Sequence, residues 1–172
     1  MKTIKLLLAG AALTGGLVVG GAGLVASATA VGSCKPAQMA VTRGQSNGAA
    51  GTIYYPIVFT DTAGSCAIWG VPAIQPVSGP SHTKLGPPAA NASMGMMPVR
   101  HVLTKGMSVS VGYGVVDTGN YPPATCKAKN ASGVIVSLAP FVRPTYVRLP
   151  ISVCTKRVST KSRLLAPGRT GV

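Results

Sequence analysis

The sequence has almost no acidic residues. Glu is absent and Asp occurs twice, at Asp61 and Asp117, whereas Lys and Arg number 16 and give a formal charge of +14. A mechanism based on paired carboxylates would have only these two side chains, and both lie in turn-like sequence where a carboxylate caps backbone amides. The excess of positive charge favours anionic partners such as wall polymers, acidic lipid head groups, DNA or acidic proteins.

Aromatic residues and histidines are also scarce. Aromatics make up 5% of the chain and nucleic-acid-binding signatures are missing, so specific nucleic-acid recognition is not expected. A Ser-His-Asp arrangement could be drawn from Ser81, His82 and Asp117, but no G-x-S-x-G motif accompanies it, and chance spacing explains it better. We therefore expect a protein that is not an enzyme and needs no cofactor.

Charge is absent from a long N-terminal stretch. Lys2 and Lys5 precede an apolar run that reaches Val25, the next charge is Lys35, and Ala28-Thr29-Ala30 has the small residues that a signal peptidase requires. This pattern predicts a signal peptide over residues 1–30, cleaved after Ala30, and a secreted or cell-surface protein. The alternative is an uncleaved anchor, which is the only route by which the sequence predicts membrane contact.

Four cysteines follow, and none of them forms a C-x-x-C pair. In an exported chain they predict two disulfides, for which three connectivities exist; we favour Cys34 with Cys66 and Cys126 with Cys154. Cys34 also ends a loose lipobox, but acylation there would leave an odd number of cysteines, so a structural cysteine is the better interpretation.

Short β-branched and aromatic runs separated by Gly, Pro, Asn and Ser predict strands. The clearest alternations run from Ile53 to Phe59, from Met107 to Val115 and from Val134 to Leu138. Further strands are predicted over residues 37–42, 66–69, 99–103 and 146–153. Seven or eight such strands indicate an all-β fold, an immunoglobulin-like β-sandwich, with Trp69 packed in its core.

Two segments fall outside this framework. Residues 79–95 are rich in Pro and Ala and predict a long connection between strands. Residues 156–172 carry basic side chains and no acid, which predicts a flexible basic tail after a domain spanning 31–155. The candidate binding residues in this tail are Lys156, Arg157, Lys161, Arg163 and Arg169.

The order of several motifs between Cys34 and Cys154 resembles a known family. The motifs are Gly48-Ala49-Ala50-Gly51-Thr52, the strand from Tyr54 to Thr60, Cys66-Ala67-Ile68-Trp69-Gly70-Val71-Pro72, Leu103-Thr104-Lys105-Gly106, Asn120-Tyr121-Pro122-Pro123-Ala124-Thr125-Cys126 and Val153-Cys154. Together they resemble the secreted actinobacterial family called domain of unknown function 4232. The resemblance implies an exported β-sandwich with two disulfides, and it implies no reaction.

One segment has the composition of a metal site. Met94, Met96, Met97 and His101 offer thioethers and an imidazole, which are ligands that suit Cu(I), and His82 could add another. Because Arg100 adjoins His101 and would repel a cation, the alternative that the methionines fill an irregular gap in the core is favoured.

These observations predict a non-catalytic exported module. We expect it to bind an anionic envelope polymer or another secreted protein through strand-connecting loops and the basic tail. A copper-binding exported protein and a secreted hydrolase with an unrecognised site are the alternatives.

Overall fold

The structure is a computed structural model, and it describes residues 30–171. The predicted signal peptide, residues 1–30, lies outside the described residues except for Ala30. Within the described part no helix is long and apolar enough to span a bilayer.

Strands account for nearly all of the regular structure. They are β1 (Met39–Arg43), β2 (Asn47–Ala49), β3 (Thr52–Asp61), β4 (Cys66–Ile68), β5 (Ala73–Ser78), β6 (Thr83–Lys84), β7 (Ala90–Asn91), β8 (His101–Leu103), β9 (Ser108–Val116), β10 (Ala128–Leu138), β11 (Val142–Cys154), β12 (Thr160–Ser162) and β13 (Ala166–Pro167). One short helix, α1 (Pro123–Cys126), and two 3-10 turns, Pro36–Gln38 and Thr118–Asn120, complete the set.

The larger sheet is built on the antiparallel pair of β3 and β9. Its strand order is β1-β3-β9-β12-β7, and β2 and β13 add to β3 and β9 respectively. The turn between β2 and β3 is made by Ala50 and Gly51, which both have positive φ. A two-residue turn of this kind twists in the same sense as the strands that it joins, and Gly is the residue that adopts it at least cost.

The second layer has four strands in the order β11-β10-β5-β6, all antiparallel to their neighbours. A small sheet of β4 and β8 is not hydrogen-bonded to either of the two large sheets, but its Ile68 and Leu103 belong to the same core. The arrangement is an immunoglobulin-like β-sandwich, as the sequence predicts. It has 13 strands rather than the seven or eight expected, because seven strands of only two or three residues accompany the longer ones.

The core lies between the inner faces of the two large sheets. Ile57 and Phe59 from β3 pack there with Val111 and Tyr113 from β9, which confirms the predicted alternation of these strands. Trp69 packs against this core and meets the Phe141 ring edge-on at 4.5 Å between centroids.

Both favoured disulfides are present. Cys34 is bonded to Cys66 and Cys126 to Cys154, and no cysteine in the described residues is free. Each bond joins residues about 30 positions apart in the chain, so closing these loops contributes on the order of 3 kcal/mol apiece in the chain-entropy model.

The prediction of a flexible tail over residues 156–172 is wrong. β12 pairs with β9 and with β7, β13 pairs with β9, and Leu165 is 5% exposed in the core. The basic side chains that suggested a solvated tail alternate with the buried residues Ser159, Thr160 and Ser162, whose small polar side chains give no hydrophobic signal. The domain therefore extends past residue 155 to the end of the described chain.

The last described residues cross the outer face of the larger sheet. The Gly171 amide donates to Ser110 Oγ at 2.9 Å, and a Cβ on Gly112 would lie 2.6 Å from the Gly171 carbonyl oxygen. Val58, which is opposite Ser110 in the sheet, is fully buried although it lies on the face predicted to be mixed. This coverage explains why β3 is buried on both faces.

Candidate functional site

The two carboxylates are both engaged with backbone amides. Asp61 is buried, and its Oδ1 accepts from the Ala63 amide at 3.0 Å and the Gly64 amide at 3.3 Å. Asp117 caps the 3-10 turn that follows it, because its Oδ1 accepts from the Gly119 amide at 2.9 Å. Both residues thus have the capping role that their turn-like sequence predicts.

The structure does not bring His82 and Asp117 into one cavity. The His82 ring stacks on Tyr146 at 4.1 Å between centroids and lines a depression on the four-stranded sheet. Asp117 instead lines an open cleft of about 520 Å³ at the end of β9, together with Tyr55 and Ser152. The arrangement of Ser81, His82 and Asp117 considered from the sequence is therefore not assembled.

The predicted metal ligands make contacts that were not expected from the sequence. Met94, Met96 and Met97 are 82%, 65% and 87% exposed, so the expectation that they fill a gap in the core is wrong. The His101 Nε2–H, from the two-stranded sheet, donates to the Leu165 carbonyl at 3.0 Å, whereas His82 stacks on Tyr146 of the four-stranded sheet. In residues 30–171 no group of three or more His, Cys, Asp or Glu could hold a metal ion, and the Met-based copper site stays a prediction.

The basic residues predicted to lie in a tail are held against the folded surface instead. The Arg157 guanidinium lies 4.0 Å from the Tyr121 ring centroid, and Arg169 Nη1 donates to Ser108 Oγ at 3.1 Å. Lys156, which precedes Arg157 in the chain, is exposed. These contacts fix where the positive charges are presented.

Lys161 and Arg163 converge on one aromatic ring. The Lys161 ammonium lies 5.2 Å and the Arg163 guanidinium 5.4 Å from the Tyr54 centroid. We call these three residues the Tyr54 cluster. Hydrogen bonding by Lys161 lowers the pKa of the Tyr54 hydroxyl despite some desolvation, and the positive charges of Lys161 and Arg163 lower it further.

Gly114 makes room for the Tyr54 cluster. It faces Tyr54 across the β3–β9 ladder, and a Cβ there would lie 3.0 Å from the Tyr54 ring and 2.9 Å from the aliphatic chain of Lys161. The ring and the lysine stem therefore lie flat on the sheet. This role of Tyr54 is not predicted from the sequence, in which the one signal is a glycine within a strand that is expected to pair with a tyrosine-containing strand.

Positive charge dominates the surface of the described domain. Residues 30–171 contain 14 basic residues and two acids, a formal charge of +12, and none of the 14 basic side chains is buried. Asp61 is buried, so Asp117 is the one carboxylate side chain exposed on this part of the chain. Such a surface attracts anions over a distance of about a Debye length, ~8 Å at physiological salt.

Comparison with known proteins identifies a family and no activity. No curated protein and no solved structure matches the chain. The family model described as a domain of unknown function, DUF4232, matches residues 34–165, from the first cysteine to Leu165 in the segment after β12. Two disulfides of the kind found here are typical of proteins in oxidising compartments. The matched range includes both disulfides and most of the β-sandwich, and the chain therefore belongs to the domain of unknown function 4232 family.

Proposed function

We propose that this protein is an exported, non-catalytic module that binds an anionic polymer of the cell envelope. The observation that supports it is the surface charge: 14 basic side chains with a single exposed carboxylate in residues 30–171. Because Asp117 is already engaged by the Gly119 amide, the domain's cations have almost no internal carboxylate to pair with. An external polyanion supplies the missing negative charge.

The Tyr54 cluster is the proposed centre of this surface. Lys161 and Arg163 are both held within 5.4 Å of a neutral ring, so their positive charges are positioned without being neutralised. Arg163 is exposed and its guanidinium suits phosphate or carboxylate oxygens, which it can engage in pairs. Arg157 above Tyr121 repeats the same arrangement of a cation on an aromatic ring.

The direct test is binding to polyglycerol phosphate, with neutral dextran as the control polymer. The variant Lys161→Gln with Arg163→Gln removes both cations of the cluster. The matched control, Lys84→Gln with Arg143→Gln, removes two exposed cations from the four-stranded sheet and lowers the net charge equally. We expect the cluster variant to bind about a hundredfold more weakly or worse, because each of the two lost charged contacts contributes about 1.5–3 kcal/mol, and the control to change little.

Two results would contradict the proposal at different levels. Equal losses in the two variants would show that the Tyr54 cluster is not the centre of binding. Failure of the unaltered domain to bind polyglycerol phosphate at low salt would reject polymer binding itself, since a surface attraction of this kind is strongest there.

A further inference from the structure

The loop over residues 93–101, which we call the methionine loop, concentrates exposed apolar side chains. Met94, Met96, Met97 and Val99 are 82%, 65%, 87% and 64% exposed, and they are four of the eight large hydrophobic side chains exposed in residues 30–171. A contiguous exposed apolar surface of this kind marks a contact site for a protein or a membrane far more often than single scattered residues do.

The two ends of the methionine loop are fixed to the folded domain. At one end Ser93 is buried, and its Oγ accepts from the Leu164 amide at 3.0 Å. At the other end the His101 Nε2–H donates to the Leu165 carbonyl at 3.0 Å. Both ends are thus pinned to consecutive residues. The tip itself projects freely, since a Cβ on Gly95 would have no atom within 4 Å.

Positive charge surrounds the base of the methionine loop. Arg100 immediately precedes one pinned end and donates to the Val31 carbonyl, and Arg163 immediately precedes Leu164 at the other. No acidic residue lies in the loop, Asp61 is buried, and Asp117 lies in the cleft at the end of β9. Two arginines therefore adjoin the pinned ends of the methionine loop, and the loop itself contains no carboxylate.

We propose that the methionine loop inserts into the outer surface of an anionic lipid bilayer. The thioether side chains enter the boundary between head groups and acyl chains, and Arg100 and Arg163 meet the lipid phosphates. A projecting apolar tip can insert into the fluid interface of a bilayer, and flexible methionine side chains adapt to the irregular packing there. The two arginines favour an anionic bilayer over an uncharged apolar partner, because the lipid phosphates supply counter-ions that the loop itself does not contain.

This inference is independent of polymer binding, although Arg163 belongs to both surfaces. It also differs from the membrane anchoring expected from an uncleaved signal peptide, because the contact is made by a loop of the folded domain. The methionines belong only to the loop, so their substitution separates the two proposals.

The experiment is cosedimentation of the domain with vesicles of phosphatidylglycerol and phosphatidylcholine, compared with pure phosphatidylcholine. The test variant is Met96→Gln with Met97→Gln. The matched control is Met107→Gln with Val158→Thr, which alters two side chains exposed elsewhere at 49% and 45%. All four substitutions are at exposed positions, so thermal unfolding should change little.

We expect the unaltered domain to bind the anionic vesicles and the test variant to bind ten- to a hundredfold more weakly, given the apolar surface that two methionines bury. The control should bind as the unaltered domain does. Equal binding of the test and control variants would overturn the inference, and so would failure of the unaltered domain to bind anionic vesicles. Polyglycerol phosphate binding by the test variant should be unchanged, so either proposal can fail without the other.

Discussion

Residues 156–172 should be essential for folding, and deleting them is the strongest test of the structure. The deletion removes five cations and lowers the formal charge of residues 30–171 from +12 to +7. It also removes β12 and β13, which pair with β9, and Leu165 from the core. A basic tail would tolerate this change, whereas the observed fold should not.

The expected loss follows from the contacts of the deleted segment. Burial of Leu165 is worth about 3 kcal/mol, in the range measured when a core leucine is truncated. Ser162 Oγ donates to the Pro72 carbonyl, and Ser159 Oγ accepts from the Cys154 amide. Each such bond adds about 1 kcal/mol net. The total, on the order of 5 kcal/mol, matches the lower end of the ~5–15 kcal/mol stability of a typical domain.

The assay is urea unfolding followed by fluorescence of Trp69, the one tryptophan in the chain. The matched control keeps the segment and changes its five cations to Gln, so that the charge is the same as in the deletion variant. We expect the control to unfold near the midpoint of the unaltered domain and the deletion variant to be unfolded without urea. Leu165→Ala should lose about 3 kcal/mol, against about 1 kcal/mol for the half-exposed neighbour in Leu164→Ala.

A deletion variant with the same unfolding midpoint as the Gln control would refute this reasoning. It would mean that pairing with β12 and β13 does not stabilise β9, and that the domain ends at residue 155 as the sequence predicts.

Further predictions concern the disulfides, two tyrosines and a turn. Alkylation of the native domain followed by intact-mass measurement should find no free thiol, and replacing either cysteine pair by Ala should cost on the order of 3 kcal/mol in urea unfolding. Burial raises the pKa of Tyr113 above its ordinary 10.0, so the folded state holds the phenolic proton more tightly than the unfolded state does. The protein should therefore lose stability as the pH rises above 10.0. Tyr113→Phe should weaken this loss when urea unfolding is measured at several alkaline pH values. Lys161→Gln should move the Tyr54 titration to higher pH in ultraviolet absorbance, because it removes the group that lowers the Tyr54 pKa. Asp61→Ala should lose about 2 kcal/mol by leaving the Ala63 and Gly64 amides without their acceptor, and an unchanged melting temperature would contradict that role.

The sequence predicts those parts of the fold that depend on a local residue pattern or on residues close to each other along the chain. β9 alternates between large and small residues, and both disulfides join cysteines that are close along the chain, so these features were accessible. The pairing of Lys161 with Ala90 brings together residues some 70 positions apart, each in a strand of two or three residues with no periodic pattern. Such contacts are decided by the packing of the whole domain rather than by local preference.

The candidate binding surface is likewise predicted only in part from the sequence. Net charge already indicates anionic partners, but which cations act together depends on Gly114 admitting the Tyr54 ring and Lys161. The sequence favours burial of the methionines in a core gap, because the alternative, a Cu(I) site, would place a cation beside Arg100. Their exposure depends on the two bonds that tie Ser93 and His101 to Leu164 and Leu165, and no sequence pattern indicates those bonds.

The chain order of β9 and its neighbours has a consequence for biogenesis. A ribosome delivers β3 and β9 early, and the two can pair as soon as both have emerged. The other edge of β9 must wait for Thr160 and Ala166, which pair with Val115 and Ser110. During that interval the nascent chain displays a row of unpaired amides and carbonyls, which is a template for pairing with another chain. If synthesis of the final residues is delayed, we therefore expect newly made protein to aggregate rather than to fold slowly to the native state.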